Sequence, residues 1–178
     1  MASKSKKILL WVLGFLGIVM LFILLAAWQT GIFSSPKISM EERAGFHYVY
    51  LERTGPYSEI AKAQEALKKA IKDQNIKTLI PCGLYLDNPA NVKQNELRWR
   101  IGYTVKDSVQ VAKPLKFETV PARLYVIASI KAHPAVAALK NYPAMKKWVV
   151  ENQYVIIGPA MEFYLKDGTV ESMFPVRK

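Results

Sequence analysis

The sequence predicts an α+β domain built from two similar βαββ units, preceded by a single apolar N-terminal helix. Three observations support this prediction. Residues 8–28 carry no charged side chain, the order strand, helix, strand, strand occurs twice downstream, and a break ending in proline follows the first strand of each unit. Two such units related by a pseudo-twofold axis would form one antiparallel sheet with both helices on one face.

The apolar segment 8–28 is predicted to cross a membrane. A helix of this length spans about 30 Å, which matches the hydrocarbon core of a bilayer. A cleaved signal peptide is the alternative, but its apolar region usually covers only about 7–15 residues. Ala26-Ala27-Trp28-Gln29 is also a poor cleavage site. Trp11 and Trp28 lie near the two ends of the segment, where interfacial aromatic residues are common.

The charges around this helix predict its orientation. The basic flank, residues 1–7, carries three lysines and no acid, whereas Lys37 and Arg43 follow the helix more distantly. The positive-inside rule therefore favours a cytoplasmic N-terminus and a C-terminal domain outside the cytoplasm, in the periplasm of a bacterial cell. We expect a single-pass membrane protein with a linker at 29–37 and a ligand-binding domain at 38–178.

Composition excludes several classes of function. The 178 residues include 25 basic and 14 acidic side chains, for a net charge of +11, but only one cysteine and two isolated histidines. One cysteine excludes an intramolecular disulfide framework and multi-cysteine metal sites, so we expect no metal and no cofactor. No basic run interleaved with aromatic residues, helix-turn-helix or zinc-finger spacing accompanies the charge, which makes nucleic acid an unfavoured partner. The basic surface is either simply solvated or attracted to anionic headgroups.

The first unit follows directly from residue patterning. A run of β-branched and aromatic residues predicts a strand, and a helical stripe then follows a Gly-Pro break. Two further strands are joined by a turn signal, Asp87-Asn88-Pro89. In chain order these elements are the strand Phe46–Arg53, the break Gly55-Pro56, the helix Tyr57–Gln74, and the strands Leu79–Leu86 and Leu97–Val105.

The second unit repeats this order about 78 residues later. His133-Pro134 stands where Gly55-Pro56 stood, and Asp167-Gly168 supplies the final turn. The segment 83–87 also aligns with 162–166. The predicted elements are the strand Leu124–Ile130, a helix with the stripe Tyr142, Met145, Trp148 and Val149, and the strands Tyr154–Leu165 and Val170–Val176.

Glu162 is the most informative polar residue because it interrupts an apolar strand. Strand alternation places Ala160, Glu162 and Tyr164 on one face and an apolar set on the other. A carboxylate beside aromatic rings is suited to a lipophilic cation, which gains charge attraction, cation–π contact and apolar burial. The alternative is a solvated glutamate on a wet sheet face.

Aromatic side chains on the predicted strands and helix could line the same pocket, although a structural core role is the alternative for each of them. Classical catalytic motifs, including serine nucleophiles and phosphate-binding loops, are absent from the sequence. We therefore expect binding rather than catalysis. The predicted ligand-binding residues are Tyr48, Tyr85, Trp99, Tyr103, Trp148, Glu162 and Tyr164.

Several motifs in this order resemble the GyrI-like domain, the small-molecule-binding module of a bacterial gyrase-inhibitory protein and of multidrug-responsive regulators. The resemblance extends from about Ile38 to Val176. It is carried by Gly55-Pro56-Tyr57, the run 83–89 (GLYLDNP), Glu96-Leu97-Arg98, Ile101-Gly102, Gly158-Pro159, the run 162–165 (EFYL) and the run 171–176 (ESMFPV).

The resemblance implies the duplicated βαββ fold shared with haem-binding SOUL proteins, although no motif here favours haem. It also implies a pocket on the pseudo-axis, with Glu162 at the position of an acid that binds cationic aromatic compounds. Some members resemble hydrolases of electrophilic compounds, and Tyr85, Trp148 and Glu162 would be the corresponding candidates. The chain departs from the pattern at Met173, where tyrosine is common. We also expect no attached DNA-binding domain.

Three functions from different classes follow. The preferred one is a membrane-anchored module that binds an amphipathic or cationic aromatic small molecule. The second is a hydrolase that uses the same pocket, and the third is a membrane-anchored adaptor that recruits a protein partner. A binding module requires Glu162 without turnover, a hydrolase loses turnover when Glu162 becomes glutamine, and an adaptor depends on its surface lysines instead.

Overall fold

A computed structural model describes residues 2–178, with side chains described at 6, 8, 9 and from 11 onward. The N-terminal helix α1 covers Ala2–Gln29. Its stretch Trp11–Gln29 is long and apolar enough to cross a membrane, a property that a signal sequence would share. None of this stretch is buried inside the protein, so its apolar surface is exposed.

The folded domain, residues 30–178, follows α1 and contains nine strands and two α-helices. Short 3₁₀ turns at Tyr57–Glu59 and Gln94–Glu96 complete it. In chain order the elements are β1 Lys37–Arg43, β2 Phe46–Thr54, α2 Ile60–Asp73, β3 Pro81–Tyr85, β4 Arg98–Val105, β5 Lys116–Val120, β6 Arg123–Lys131, α3 Pro134–Glu151, β7 Val155–Ile156, β8 Ala160–Tyr164 and β9 Thr169–Arg177.

The sheet is antiparallel and symmetric about its centre. Its strand order is β1-β6-β9-β8-β3-β4-β2-β5, with β7 paired to β9. Exchanging the two halves of the chain maps β1 onto β5, β6 onto β2, β9 onto β4 and β8 onto β3, which reproduces the same order. The pseudo-twofold axis therefore passes between β3 and β8, where Gly83 lies opposite Glu162.

The two helices cover one face of the sheet and leave its centre between them. Helix α2 packs on β2 and β4, whereas α3 packs on β6 and β9. Each helix buries one stripe at the spacing expected for a single helical face. Because neither helix packs mainly on β3 or β8, the space between the helices, called the cleft below, lies over these two central strands. The buried stripes are Ala63, Leu67, Ala70 and Ile71 in α2, and Ala137, Asn141, Met145 and Val149 in α3.

The helix-free face of the sheet is itself a hydrophobic core. The rings of Phe46 and Phe163 pack edge to face at 5.5 Å, although β3 and β4 separate their strands. The sheet must therefore curl so that this face closes on its own side chains. Its buried members are Tyr48, Tyr50, Cys82, Tyr125, Ile127, Met161 and Met173.

The predicted fold class is confirmed, including the duplicated units and the two helices on one face. The prediction lacks two edge strands, β1 and β5, because most of their side chains are polar and those of β1 are also mainly exposed. The single predicted strand Tyr154–Leu165 is wrong, since Gly158-Pro159 separates β7 from β8. The predicted linker 29–37 is also structured, because β1 begins at Lys37 and a hydrogen-bonded turn precedes it.

Candidate functional site

Glu162 forms the floor of the cleft between α2 and α3. Strand alternation in β8 directs Ala160, Glu162 and Tyr164 towards the helices, while Met161 and Phe163 join the opposite core. Glu162 is only 2% exposed. The alternative of a solvated glutamate on a wet face is therefore wrong.

Tyrosine hydroxyls hold both oxygens of this carboxylate. Tyr142, from α3, donates to Oε1 at 2.6 Å, and Tyr164 donates to Oε2 at 2.7 Å. The hydroxyls of Tyr85 and Tyr164 lie 2.8 Å apart. Because a tyrosine hydroxyl carries one hydrogen and Tyr164 gives its own to Glu162, Tyr85 is the donor of that bond. The site is a directed chain from Tyr85 through Tyr164 to the acid.

Gly83 provides the space in which the two tyrosines meet. A Cβ atom at this position would lie 3.3 Å from both Cε2 and the hydroxyl of Tyr85, and 3.4 Å from the hydroxyl of Tyr164. Only glycine leaves the rings free to lean over the strand without such close contacts. The pair of tyrosines thus depends on the residue that faces Glu162 across the sheet.

Tyr57, in the 3₁₀ turn just before α2, extends the aromatic wall. Its ring packs edge to face on Tyr85 at 5.2 Å, and its hydroxyl donates to the carbonyl of Asp87 at 2.9 Å. The carboxylate of Asp87 accepts two bonds from the Arg98 guanidinium, at 2.8 and 2.9 Å, which fixes this corner. Four half-buried tyrosine rings, Tyr57, Tyr85, Tyr142 and Tyr164, therefore surround one buried carboxylate.

The carboxylate is electrostatically uncompensated. Burial raises the pKa of Glu162, and the hydroxyls of Tyr142 and Tyr164 oppose this rise by hydrogen bonding. Burial first, and then the charge of Glu162, raise the pKa of these two tyrosines and of Tyr85, so all three remain neutral donors. Among the described side chains, no lysine or arginine nitrogen lies within 4.0 Å of Glu162.

Three predicted ligand residues, Tyr85, Glu162 and Tyr164, are brought together in this cleft, whereas Tyr48 is not. Tyr48 lies on the helix-free face, where its ring stacks on Tyr50 at 4.8 Å. Its hydroxyl accepts a bond from Arg100 at 3.0 Å. The prediction placed Tyr48 in the pocket, but strand alternation in β2 directs it to the opposite core.

Trp99, Tyr103 and Trp148 also lie away from the acid. Trp99 is fully buried beneath α2 and donates its Nε1–H to the carbonyl of Gly55 at 2.9 Å. Tyr103 packs against the same core. Trp148 stacks on Tyr154 at 5.7 Å. In α3, Trp148 follows Met145 by three residues, whereas Tyr142 precedes it by three. The two side chains therefore flank opposite edges of the buried stripe of α3.

Two residues of the site, Tyr57 and Tyr142, were missing from the predicted set. Tyr142 was recognised only as part of a helical stripe, and its position at the edge of that stripe is the signal that it could face the cleft. Tyr57 was recognised as part of the Gly55-Pro56-Tyr57 junction. Its role depends on contact with Tyr85, which lies 28 positions further along the chain and cannot be inferred from local periodicity.

Solved structures of low sequence identity share this fold. The crystal structure of the EcmrR C-terminal domain has a TM-score of 0.69 and 18% identity, covering 80% of this chain and 98% of that chain. A hydrolase from Listeria innocua has a TM-score of 0.58 and 13% identity, with coverages of 80% and 93%. SAV2435 bound to tetraphenylphosphonium has a TM-score of 0.56 and 14% identity, with coverages of 79% and 94%.

Sequence comparison gives a family but no individual relative. No curated protein matches the chain. The model of the GyrI-like small molecule binding domain matches residues 36–176, which include every strand up to most of β9 and both helices of the folded domain. The earlier resemblance, based on short motifs, covered nearly the same residues. The chain therefore belongs to the GyrI-like small-molecule-binding domain family.

Proposed function

We propose that this protein is a membrane-anchored module that binds lipophilic aromatic cations in the cleft between α2 and α3. One observation carries the proposal: Glu162 is a buried carboxylate that has hydroxyl donors but, among the side chains that the structure describes, no basic partner. A buried carboxylate without an opposite charge is costly, and a cationic ligand would relieve that cost. The ligand would supply the positive charge that the described residues around Glu162 do not.

The surrounding rings favour an aromatic cation over a small inorganic one. Four half-buried tyrosines offer apolar area and π faces around the acid. Cation–π contact contributes about 0.5–2 kcal/mol, most in desolvated sites. Each carboxylate oxygen accepts one hydroxyl bond and keeps further acceptor capacity, so a cation can be attracted to the charge while Tyr142 and Tyr164 stay bonded to it. The related SAV2435, bound to tetraphenylphosphonium, supports this ligand class.

The membrane anchor is proposed from α1. Its exposed apolar surface along Trp11–Gln29 would be unfavourable in water and suits a bilayer. Lysines before the helix favour a cytoplasmic N-terminus, and hence a domain outside the cytoplasm without direct access to DNA. Alkaline phosphatase fused to the C-terminus should be active in this orientation. If the C-terminal fusion is inactive and a fusion at the N-terminus is active, the proposed orientation is wrong and the domain lies in the cytoplasm.

The ligand class is tested by equilibrium dialysis of the full chain in nanodiscs, with empty nanodiscs as the reference for partitioning into lipid. Tetraphenylphosphonium is compared with the anion tetraphenylborate and with neutral triphenylphosphine oxide. We expect only the cation to bind, and Glu162→Gln to weaken its binding by about 10- to 100-fold, because the substitution removes the negative charge that attracts the cation and each factor of ten corresponds to about 1.4 kcal/mol. Glu65→Gln, on the exposed face of α2, is the matched control. Equal binding of cation and neutral compound would contradict the proposal.

A hydrolase is the second candidate, because Glu162 combines a raised pKa with neighbouring tyrosine hydroxyls, as a general acid requires. Glu171 cannot act as its second carboxylate, because it pairs with Phe163 on the adjacent strand and points to the opposite face. Activated esters and epoxides incubated with the same nanodiscs distinguish the two functions. Turnover that is lost in Glu162→Gln supports the hydrolase, and stoichiometric binding without product supports the binding module.

A further inference from the structure

Helix α1 is attached to one end of the domain through a fixed turn. The carbonyl of Thr30 accepts a hydrogen bond from the amide of His133 at 2.9 Å, and Lys140 Nζ contacts the carbonyls of Ile32 and Ser34. Gly31 has φ +74°, and a Cβ there would lie 2.5 Å from the carbonyl oxygen of Lys131. The turn is therefore packed against the end of β6 and the start of α3, and it is not a free tether.

Strand register shows which other residues share this end of the sheet. Lys131 lies opposite Thr169 at the start of β9, beside the turn that connects β9 to β8. On the other half of the sheet, Ile80 and Leu79 extend β3 beyond Pro81 in the same direction, bonded to Thr104 of β4. This end of the domain, from the turn 165–168 to the segment 77–80, is called the α1-proximal end below.

The α1-proximal end exposes apolar side chains. Leu79 is 56% exposed and Ile80 is 38% exposed, although they continue a strand that is otherwise well covered. In the turn after α1, the exposed ring of Phe33 lies 6.3 Å from that of Trp28. Tryptophan is enriched at membrane interfaces, so Trp28 marks this level of the chain as interfacial.

The same end is also rich in exposed lysines. Lys77 precedes Leu79, Lys106 follows β4, and Lys166 stands in the turn after β8. Lys131 ends β6. The acid in the turn after β8, Asp167, already accepts hydrogen bonds from the amide and the hydroxyl of Thr169.

We propose that the α1-proximal end rests on the bilayer, with Leu79 and Ile80 at the interface and Lys77, Lys106, Lys131 and Lys166 against anionic lipid headgroups. The inference depends on the membrane anchoring proposed above. Because the turn fixes α1 to this end, a spanning α1 brings these residues to the membrane surface. Each lysine near an anionic surface adds attraction that fades within about 8–10 Å at physiological salt. The domain is thus oriented on the membrane and does not swing freely from its anchor.

The test places a fluorescent label at Leu79→Cys, and at Val150→Cys as a control, in the full chain in nanodiscs. Val150 is 76% exposed near the far end of α3. Native Cys82 is buried, and burial raises the pKa of its thiol to about 12, so it does not compete for the label. Quenching by lipids with a headgroup spin label is measured with phosphatidylcholine alone and with added phosphatidylglycerol.

We expect quenching at position 79 but not at 150, and an increase with phosphatidylglycerol. Lys77→Glu with Lys166→Glu should lower it at least about twofold, since two attractions become repulsions. The same charge change at Lys62 and Lys93, near the opposite end, should have no effect. Equal quenching at both labels, or no response to lipid charge and to the lysine variants, would overturn the proposal. Carbonate extraction tests the anchor separately: release of the chain refutes membrane anchoring, whereas retention with equal quenching refutes only the orientation.

Discussion

The hydroxyls of Tyr85 and Tyr164 meet at 2.8 Å although they belong to different repeats of the fold. They occupy equivalent positions, because 83–87 aligns with 162–166 and the axis passes between Gly83 and Glu162. At that axis the two halves differ: one supplies a residue without a side chain and the other supplies the acid. The glycine makes room for both rings, and the glutamate accepts the hydrogen bond at the end of the chain.

The direction of this chain predicts unequal effects of two similar substitutions. Tyr164→Phe removes a donor to the buried carboxylate and should cost about 1.5–3 kcal/mol at neutral pH, whereas Tyr85→Phe removes a bond between hydroxyls and should cost about 0.5–1.5 kcal/mol. Urea unfolding of the two variants and of the double variant measures both costs and their coupling. Equal, additive losses would contradict the directed chain.

Substitution of two glycines distinguishes a loss of ligand binding from a loss of stability. Gly83→Ala should displace the half-buried rings of Tyr85 and Tyr164, weakening cation binding several-fold with only a small change in Tm. Gly102→Ala should unfold the domain or lower its stability by more than about 3 kcal/mol, because its Cβ would lie 2.2 Å from the carbonyl oxygen of Val49. Thermal unfolding and dialysis of both variants provide the comparison. Comparable loss of Tm in the two would contradict this role for Gly83.

The sequence predicts the repeat and the acid because both depend on local patterns. Alternation alone places Glu162 and Tyr164 on one face, and the aligned motif brings Tyr85 to the equivalent position. The edge strands β1 and β5 carry no such pattern, because water covers their outer side chains and charged residues protect a sheet edge. Each of these strands also pairs with a strand that is distant in the chain: β1 pairs with β6, and β5 pairs with β2.

The remaining site residues depend on distant contacts. Tyr142 reaches Glu162 only because α3 packs on β6 and β9 with one edge turned towards the cleft. Tyr48 was predicted from its aromatic character, but the curl of the sheet makes the helix-free face a second core. Aromatic residues alternate on both faces of these strands, so residue type cannot indicate which face holds the ligand.

Trp99 should behave as a structural residue. Trp99→Phe removes the bond from Nε1 to the carbonyl of Gly55 and leaves a cavity in the core beneath α2. We expect a loss of about 2–4 kcal/mol in the free energy of unfolding. The dissociation constant for tetraphenylphosphonium should stay within about twofold of the parent, which dialysis below the transition temperature measures. A larger change in binding with unchanged stability would return Trp99 to the ligand site.

Glu162 should make the protein less stable as pH rises. Its pKa is raised in the folded state, so between its ordinary value and the raised value the folded protein holds more protons than the unfolded chain. Stability therefore falls as pH rises through this window, and the full penalty remains above it. Glu162→Gln should lack this fall, so the difference in Tm between the variant and the parent should shift in favour of the variant as pH rises. Glu52, whose pKa is lowered by Lys116, acts in the opposite sense, so the comparison must be made between variant and parent.

Cation binding should show the opposite dependence on pH. The ionised form of Glu162 attracts the ligand and the protonated form does not, so the dissociation constant for tetraphenylphosphonium should rise as pH falls through the raised pKa. Below that pKa the slope should approach about tenfold per pH unit, because one proton competes with one cation. By linkage, the bound cation lowers the pKa of Glu162. Above the pKa of the ligand-free protein, Glu162 is already ionised, so cation binding releases few protons there. Dialysis from pH 5 to pH 8 measures the slope. Glu162→Gln should be weak and independent of pH, and a parent protein with the same flat profile would show that Glu162 is not the counter-ion.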